Sequence, residues 1–233
     1  PYLKLDNVRD GMFWVANKLY GINFEKLDKM PVYFYDVEVY KVTEPDGSLT
    51  GILYLDYFPR ESKRSGAWCT SYRSQKYENG NRVAPVMSVV CNFSAPVGNS
   101  PALLSVDETE TLFHEFGHAL DGLFSNKNYE SLSVPRDFVE LPSQIMENWA
   151  FAPEVLKHYA KHYQTGEQMP DRLIEKIQNA GKFNQGFATT EYLAASYLDM
   201  DWHTINQPVD FNVNQFEKQS MEKINLINEI VPR

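Results

Sequence analysis

Residues 107–124 read DETETLFHEFGHALDGLF, and they contain the pattern His-Glu-x-x-His at positions 114–118. In an α-helix, side chains at positions i and i+4 lie on the same face, so His114 and His118 can bind one metal ion. Glu115 lies beside them, where its carboxylate can take a proton from water at the metal. The stretch therefore predicts a helix that carries a zinc site and a general base.

The same helix has a clear apolar side. At ~100° per residue its large apolar side chains form one broad stripe, made of Leu112, Phe113, Phe116, Ala119, Leu120 and Leu123. His114, Glu115 and His118 fall almost opposite that stripe. We expect the stripe to pack into the core and the histidines to line a cleft. Asp107 and Glu110 predict a capping box at the start of the helix.

A zinc site with two histidines needs a third protein ligand and an open position. The candidate carboxylates downstream are Glu130, Asp137, Glu140 and Glu147. Residues 137–151 predict a second helix, on which Glu140 and Glu147 share a face because they are seven residues apart. Glu140 can instead be the capping partner of Asp137. Spacing alone leaves both Glu140 and Glu147 open as the third ligand.

A second histidine pair has the same spacing but a different setting. His158 and His162 are also four residues apart, yet no carboxylate lies between them and lysines flank them. A cation beside a metal is unfavourable, so we interpret this pair as part of a solvent-exposed helix face. His203 is interpreted in the same way.

Composition excludes several classes of protein. The 233 residues are 43% hydrophobic and 23% charged, with a formal net charge of −9. These values are typical of a globular protein and not of a disordered chain. No apolar run is long enough to span a membrane, and the acidic balance disfavours nucleic acid as a partner. Cys69 and Cys91 are too few for a disulfide framework, and we interpret them as small buried apolar residues.

The rest of the chain predicts an α+β fold that is mainly helical. Residues 6–20 have apolar side chains at helical spacing. Residues 31–42 and 51–58 are rich in β-branched and aromatic residues and flank a turn, which predicts a hairpin. Residues 86–93 predict a buried strand. We therefore expect a small antiparallel sheet followed by helices.

We interpret residues 1–233 as one partial catalytic domain of a longer protein. Residues 1–30 are expected to be helical, residues 31–93 to form the small sheet, and residues 105–233 to be helical. Residues 59–83 are locally basic, with Arg60, Lys63, Arg64, Arg73, Lys76 and Arg82. We interpret this segment as a solvent-exposed loop or as a site for a substrate carboxylate.

Several stretches resemble the thimet oligopeptidase and peptidyl-dipeptidase family of zinc metallopeptidases. The relevant stretches are HEFGH at 114–118, RDFVE at 136–140, PSQIMENW at 142–149, FPRE at 58–61 and VVCNF at 89–93. Two more, KFNQGF at 182–187 and LDMDWH at 198–203, resemble the bacterial dipeptidyl carboxypeptidase branch. The resemblance extends over essentially the whole chain.

The resemblance implies a function and a ligand set. It implies that one Zn²⁺ is held by His114, His118 and Glu140, with Glu115 as general base, at the floor of a channel between two helical lobes. The substrates implied are oligopeptides, from whose free C-terminus dipeptides are released. The alternatives are an endo-acting oligopeptidase of the same family and an inactive zinc-binding fragment. Backbone at residues 89–93 is expected to align the peptide as an added strand.

The sequence also departs from that family. The loop at residues 130–135 lacks the Gly-Thr that the family usually has there. The Gly- and Tyr-rich segment of the family is expected beyond Arg233, and Tyr192 and Tyr197 do not match it, so we interpret both as helix-packing residues. We interpret the chain as a piece of a longer, cytoplasmic peptidase. Its missing parts are then its partners, and the isolated piece is expected to be weakly active or inactive.

Overall fold

The computed structural model describes residues 1–129, 134–206, 210, 212–227 and 229–230. Its helices are α1 Leu5–Tyr20, α2 Val106–Leu123, α3 Leu141–Ala150, α4 Pro153–Tyr159, α5 Asp171–Ala180, α6 Gln185–His203 and α7 Val213–Glu222. Its strands are β1 Asn23–Lys26, β2 Glu38–Thr43, β3 Leu49–Asp56, β4 Trp68–Arg73, β5 Lys76–Glu78, β6 Asn81–Val83 and β7 Val86–Val90. The predicted α+β class is confirmed, and among the described residues the helices contain more residues than the strands.

The chain forms two compact units, Pro1–Ile174 and Glu175–Arg233. The first unit holds the five-stranded sheet and helices α1 to α4. The second holds α6 and α7, which contact each other through Trp202 and Phe216, with ring centroids 4.0 Å apart. Asp201 accepts hydrogen bonds there from Ser220 and Lys223. No helix among the described residues is long and apolar enough to cross a membrane.

Helix α1 forms where the apolar periodicity predicts it. Val8, Met12 and Ala16 are fully buried along one face. The helix ends at Gly21, which has a φ of 76° and donates its backbone N–H to the carbonyl of Asn17. Glycine adopts this left-handed conformation without the steric cost that other residues meet.

The sheet has the strand order β1-β2-β3-β7-β4. The predicted hairpin is present as β2 and β3, although residues 31–37 lie outside the strand. Strands β3 and β7 are parallel, so the sheet is mixed rather than purely antiparallel. The connection between them is long enough for a parallel crossover because it contains β4, β5 and β6.

Strand β1 lies within residues 1–30, which we expected to be helical. It pairs antiparallel with β2, and Phe24 stacks on Phe13 of α1 at 4.0 Å between ring centroids. Four residues are too short for a periodic signal. The cross-strand partner in β2 determines the conformation of this segment, and that partner is a tertiary feature.

The apolar stripe of α2 packs into the core, as predicted. Leu112, Phe113, Phe116 and Leu123 are fully buried, and α2 contacts β7, β4 and β3 on one side and α3 on another.

The predicted capping box of Asp107 and Glu110 is wrong, because the helix begins earlier. Ser105 is the N-cap. Its hydroxyl accepts from the backbone N–H of Glu108 at 3.0 Å, and the Glu108 carboxylate accepts from the N–H of Ser105 at 2.8 Å. The sequence S-V-D-E satisfies the capping-box pattern as well as D-E-T-E does.

The basic segment has a structural role at several positions. Arg60 and Lys63 surround the carboxylate of Asp56, which is 1% exposed. Arg82 donates to four backbone carbonyls, including that of Leu123 at the end of α2. These three cations are therefore neither a solvent-exposed loop nor free for a substrate carboxylate.

Tyr192 and Tyr197 of α6 are 75% and 54% exposed. The interpretation of both as packing residues is wrong for the described part of the chain. Helical spacing places a residue on a face of the helix, but it does not say whether another element covers that face.

Candidate metal centre

Helix α2 places two imidazoles side by side. The rings of His114 and His118 have centroids 5.0 Å apart and are nearly perpendicular. Both side chains are partly buried, at 26% and 19% exposure, on the side of α2 opposite its core-facing stripe. The i,i+4 spacing in the sequence produces this arrangement directly, as predicted.

The carboxylate of Glu140 meets both rings. Glu140 precedes α3, and its Oε2 lies 3.3 Å from Nε2 of His114 and 3.1 Å from Nε2 of His118. Donor atoms of the three residues all lie within 4.8 Å of one another, so this group could hold a metal ion. Two imidazoles and one carboxylate are a donor set that suits zinc with an open position.

Glu147 occupies a different place. Its Oε1 lies 2.6 Å from Nδ1 of His114, on the side of the ring away from Glu140. Of the two carboxylates that spacing left open, the structure therefore brings Glu140 to the shared side and Glu147 behind His114. Glu140 is also the N-cap residue of α3 and makes no side-chain cap hydrogen bond, so it is not a capping partner of Asp137. Glu130 lies outside the described residues, as does most of the loop at 130–135.

The predicted second helix begins later than expected, at Leu141 instead of residue 137. Residues 136–140 form turns, with Pro142 in the first helical positions. Proline suits the first turn of a helix because its missing N–H has no intrahelical partner there. This local geometry leaves Glu140 at the start of α3, where its side chain can reach α2.

Gly117 allows α3 to approach α2 closely. A Cβ at this position would lie 2.5 Å from the carbonyl oxygen of Pro142 and 2.6 Å from Cα of Ser143. Atoms of the backbone cannot yield as a flexible side chain can. A glycine at position 117 is therefore needed for the short distance between α2, which carries the two imidazoles, and the start of α3, where the carboxylates lie.

Ser143 is a site residue that the sequence analysis missed. It is fully buried, and its Oγ lies 2.8 Å from Oε2 of Glu140 and 2.9 Å from the backbone oxygen of the same residue. The signal that could have found it is its position three residues after Glu140, which is the spacing of neighbouring side chains at a helix start.

Glu115 is the most enclosed carboxylate of the group. It is 7% exposed, and its Oε2 is buried without a hydrogen-bond partner among the described residues. Burial raises the pKa of Glu115, and the charge of Glu140 adds to that rise, while His114 and the backbone N–H of Cys69 oppose it. An unpartnered buried carboxylate oxygen beside a set of metal-binding side chains suits a role in accepting a proton.

The charges of the cluster influence one another. Burial lowers the pKa of His118, which favours the neutral imidazole that binds metals. The hydrogen bond from Ser143 lowers the pKa of Glu140, and the two histidines lower it further. A neutral imidazole and an ionised carboxylate are the protonation states in which such side chains can bind a metal ion.

The other candidates of the sequence analysis lie elsewhere. His158 stacks on Trp14 at 4.3 Å, and α4 ends at Tyr159, so His158 and His162 do not share one helix. His203 is exposed at the end of α6, as expected. Of the two cysteines predicted to be buried, Cys91 is fully buried and Cys69 is half-buried. Burial raises the pKa of the Cys69 thiol to about 12.

The expected peptide-aligning edge at residues 89–93 is wrong. Val89 pairs with Leu55 on one side and with Cys69 on the other, so β7 is an interior strand. The N–H of Cys91 is donated to the carbonyl of Asp56. The last strand of the sheet, β4, takes the edge position next to α2.

The chain matches a known protein family over nearly its whole length. The sequence profile of Peptidase family M3 matches residues 1–232. The chain belongs to peptidase family M3. The match includes all three residues whose side chains converge.

Two relatives of this M3 chain are dipeptidyl carboxypeptidases. The protein from Salmonella typhimurium is 44% identical over the whole chain, which covers 35% of that protein. The protein from Escherichia coli is 43% identical, also over the whole chain, which covers 34% of it. Oligopeptidase A of Escherichia coli is 36% identical over 89% of the chain and 31% of that protein. The chain thus spans about a third of the length of these relatives.

Proposed function

We propose that His114, His118 and Glu140 bind one Zn²⁺, and that the whole protein is a metallopeptidase that releases dipeptides from the C-terminus of oligopeptides. The observation that carries the zinc proposal is the approach of Glu140 Oε2 to within 3.1–3.3 Å of both Nε2 atoms. The reaction class is supported by membership of family M3 and by the identity to two dipeptidyl carboxypeptidases.

The chemistry divides between the ion and Glu115. When bound, zinc supplies a water of lowered pKa and polarises the carbonyl of the scissile peptide bond. Glu115 accepts the proton of the attacking water and transfers it to the amine that leaves. Its burial and its raised pKa suit both halves of this transfer.

The edge of the sheet can align the peptide. Strand β4 pairs with β7 on one side and is the last strand of the sheet. An extended peptide can add to such an edge through main-chain hydrogen bonds. A hydrogen bond from the backbone N–H of Cys69 lowers the pKa of Glu115, so the start of β4 lies next to this carboxylate.

The variant Glu115→Gln tests the division of roles. Glu115 is not one of the three convergent donors, so the whole protein should keep one zinc per chain while the rate of dipeptide release falls by ~10²–10⁴-fold. Glu154→Gln, the same change at an exposed position of α4, is the matched control and should leave zinc content and turnover unchanged. Loss of zinc from Glu115→Gln would assign Glu115 to binding and contradict the proposal.

The identity to oligopeptidase A supports a second candidate, an endo-acting oligopeptidase. Peptides with a free and with an amidated C-terminus distinguish the two. Cleavage of the free form alone, with a dipeptide as product, supports the release of C-terminal dipeptides, and equal cleavage of both forms supports the endo-acting oligopeptidase.

The weak activity predicted for the isolated 233 residues is tested by the same assay. The cytoplasmic location is a proposal that cell fractionation tests.

A further inference from the structure

We infer that α3 positions the zinc-binding side chains from behind, through Glu147 on His114 and Ser143 on Glu140. This inference rests on the proposed zinc site. It adds two positioning residues that do not touch the ion or the substrate. The two contacts come from successive turns of one helix, and each acts on a different member of the donor set.

Glu147 determines which nitrogen of His114 is available. Its Oε1 lies 2.6 Å from Nδ1 of His114, and because an ionised carboxylate can only accept, Nδ1 is the donor in this contact. In a neutral imidazole the other nitrogen, Nε2, then has the free lone pair, and Nε2 is the atom that faces Glu140 at 3.3 Å. One hydrogen bond therefore determines both the tautomer and the orientation of the ring.

Ser143 holds the carboxylate of Glu140 in a comparable way. Glu140 is 52% exposed, so without a partner its side chain has many rotamers open to it. The buried hydroxyl of Ser143 donates to Oε2, the same oxygen that lies 3.1 Å from Nε2 of His118. This bond keeps the carboxylate turned toward the imidazoles and not toward solvent.

Both contacts depend on the close fit of α3 against α2. Ser143 is fully buried and its Cα is one of the atoms nearest to Gly117. Glu147 is 31% exposed, one turn further along. The residue of α3 that contacts Glu140 is thus fully buried, whereas the residue that contacts His114 is partly exposed to solvent.

The experiment measures zinc release from the purified whole protein into an excess of chelator, for Glu147→Gln, Glu147→Ala and Ser143→Ala. Asn148→Ala is the matched control, because Asn148 is exposed on α3 and, within the described part of the chain, its side chain bonds only carbonyls of its own helix. We expect release to be 10–100-fold faster in Glu147→Ala and Ser143→Ala. Glu147→Gln keeps an acceptor for Nδ1 and should fall between Glu147→Ala and wild type. Asn148→Ala should match wild type.

Two further measurements separate positioning from a loss of stability. The melting temperature of the metal-free protein should be unchanged in Glu147→Gln, which is isosteric and partly exposed. The visible spectrum of the cobalt-substituted protein should change in the variants of Glu147 and Ser143, because it reports ligand geometry, and not in Asn148→Ala. If Ser143→Ala unfolds, the Glu147 variants decide the inference by themselves.

The outcomes distinguish this inference from the zinc proposal. Zinc binding by wild type and its loss in His118→Ala, together with wild-type release rates in all three variants, would overturn the positioning roles and leave the zinc site intact. A change at only one of the two residues would overturn the role of the other. A wild-type protein that binds no zinc would overturn both proposals.

Discussion

The glycine between the two histidines allows a sharp test of the site's architecture. In Gly117→Ala, the new Cβ would lie 2.5 Å from the carbonyl oxygen of Pro142, whereas an ordinary contact begins at 3.4 Å. The two helices must therefore separate locally by 3.4 − 2.5, or about 0.9 Å. The atoms that the new Cβ would meet belong to the backbone of Pro142 and Ser143, so no side chain can move aside to relieve the contact.

Two opposing terms determine the size of the effect on stability. Overpacking a close contact costs about 1–3 kcal/mol, and replacing glycine by alanine within a helix returns about 1 kcal/mol. We expect the free energy of unfolding of the metal-free protein to fall by about 0–2 kcal/mol as the difference of these terms. Zinc affinity should fall at least tenfold, because α3 carries Glu140, Ser143 and Glu147 away from α2, and such outer contacts are worth about 10–100-fold.

Gly122→Ala on the same helix is the matched control. The Cβ added there meets the thioether end of the Met87 side chain, and a flexible methionine can move aside. Gly122→Ala should therefore be neutral or stabilising and should keep wild-type zinc affinity. Urea denaturation of the metal-free protein and competition with a chromophoric chelator measure the two quantities. Equal stability and equal zinc affinity in the two variants would refute the reasoning.

Two more predictions concern the scaffold around the site. Asp56→Asn leaves Arg60 and the buried ammonium of Lys63 without their carboxylate and should lower the free energy of unfolding by about 3–5 kcal/mol. Burial alone would raise the pKa of Asp56, but hydrogen bonds from Arg60, Lys63 and Tyr33 outweigh burial and lower it below 3.8. The stabilising contribution is therefore present above that pH and lost as the pH falls through the lowered pKa; a difference between wild type and Asp56→Asn that stays constant from pH 5 to pH 2 would contradict this account. Ser105→Ala removes the N-cap of α2 and should cost about 1 kcal/mol in thermal denaturation, and an unchanged midpoint would show that the cap is replaced by another group.

The sequence by itself determined the elements whose signals are local. His114 and His118 share a face because four residues make about one turn of helix, and the apolar stripe of α2 is buried because the opposite face is polar. The hairpin of β2 and β3 and the end of α1 at Gly21 follow from turn and cap chemistry in the same way. The order of the strands has no local signal of this kind, which is why β7 was expected at an edge and lies in the interior.

The tertiary structure alone decided how the two site helices meet. Spacing placed Glu140 and Glu147 on one face of a predicted helix. It could not say which carboxylate faces both histidines, because that depends on where α3 begins and how closely it packs on α2. Ser143 became a site residue for the same reason. The cap of α2 is different, because Ser105 with Glu108 and Asp107 with Glu110 are two local patterns in the same stretch, and the structure uses the first. Local pattern determines which face of a helix is polar, whereas the atom that a side chain reaches is determined by a neighbouring element that is distant in the sequence.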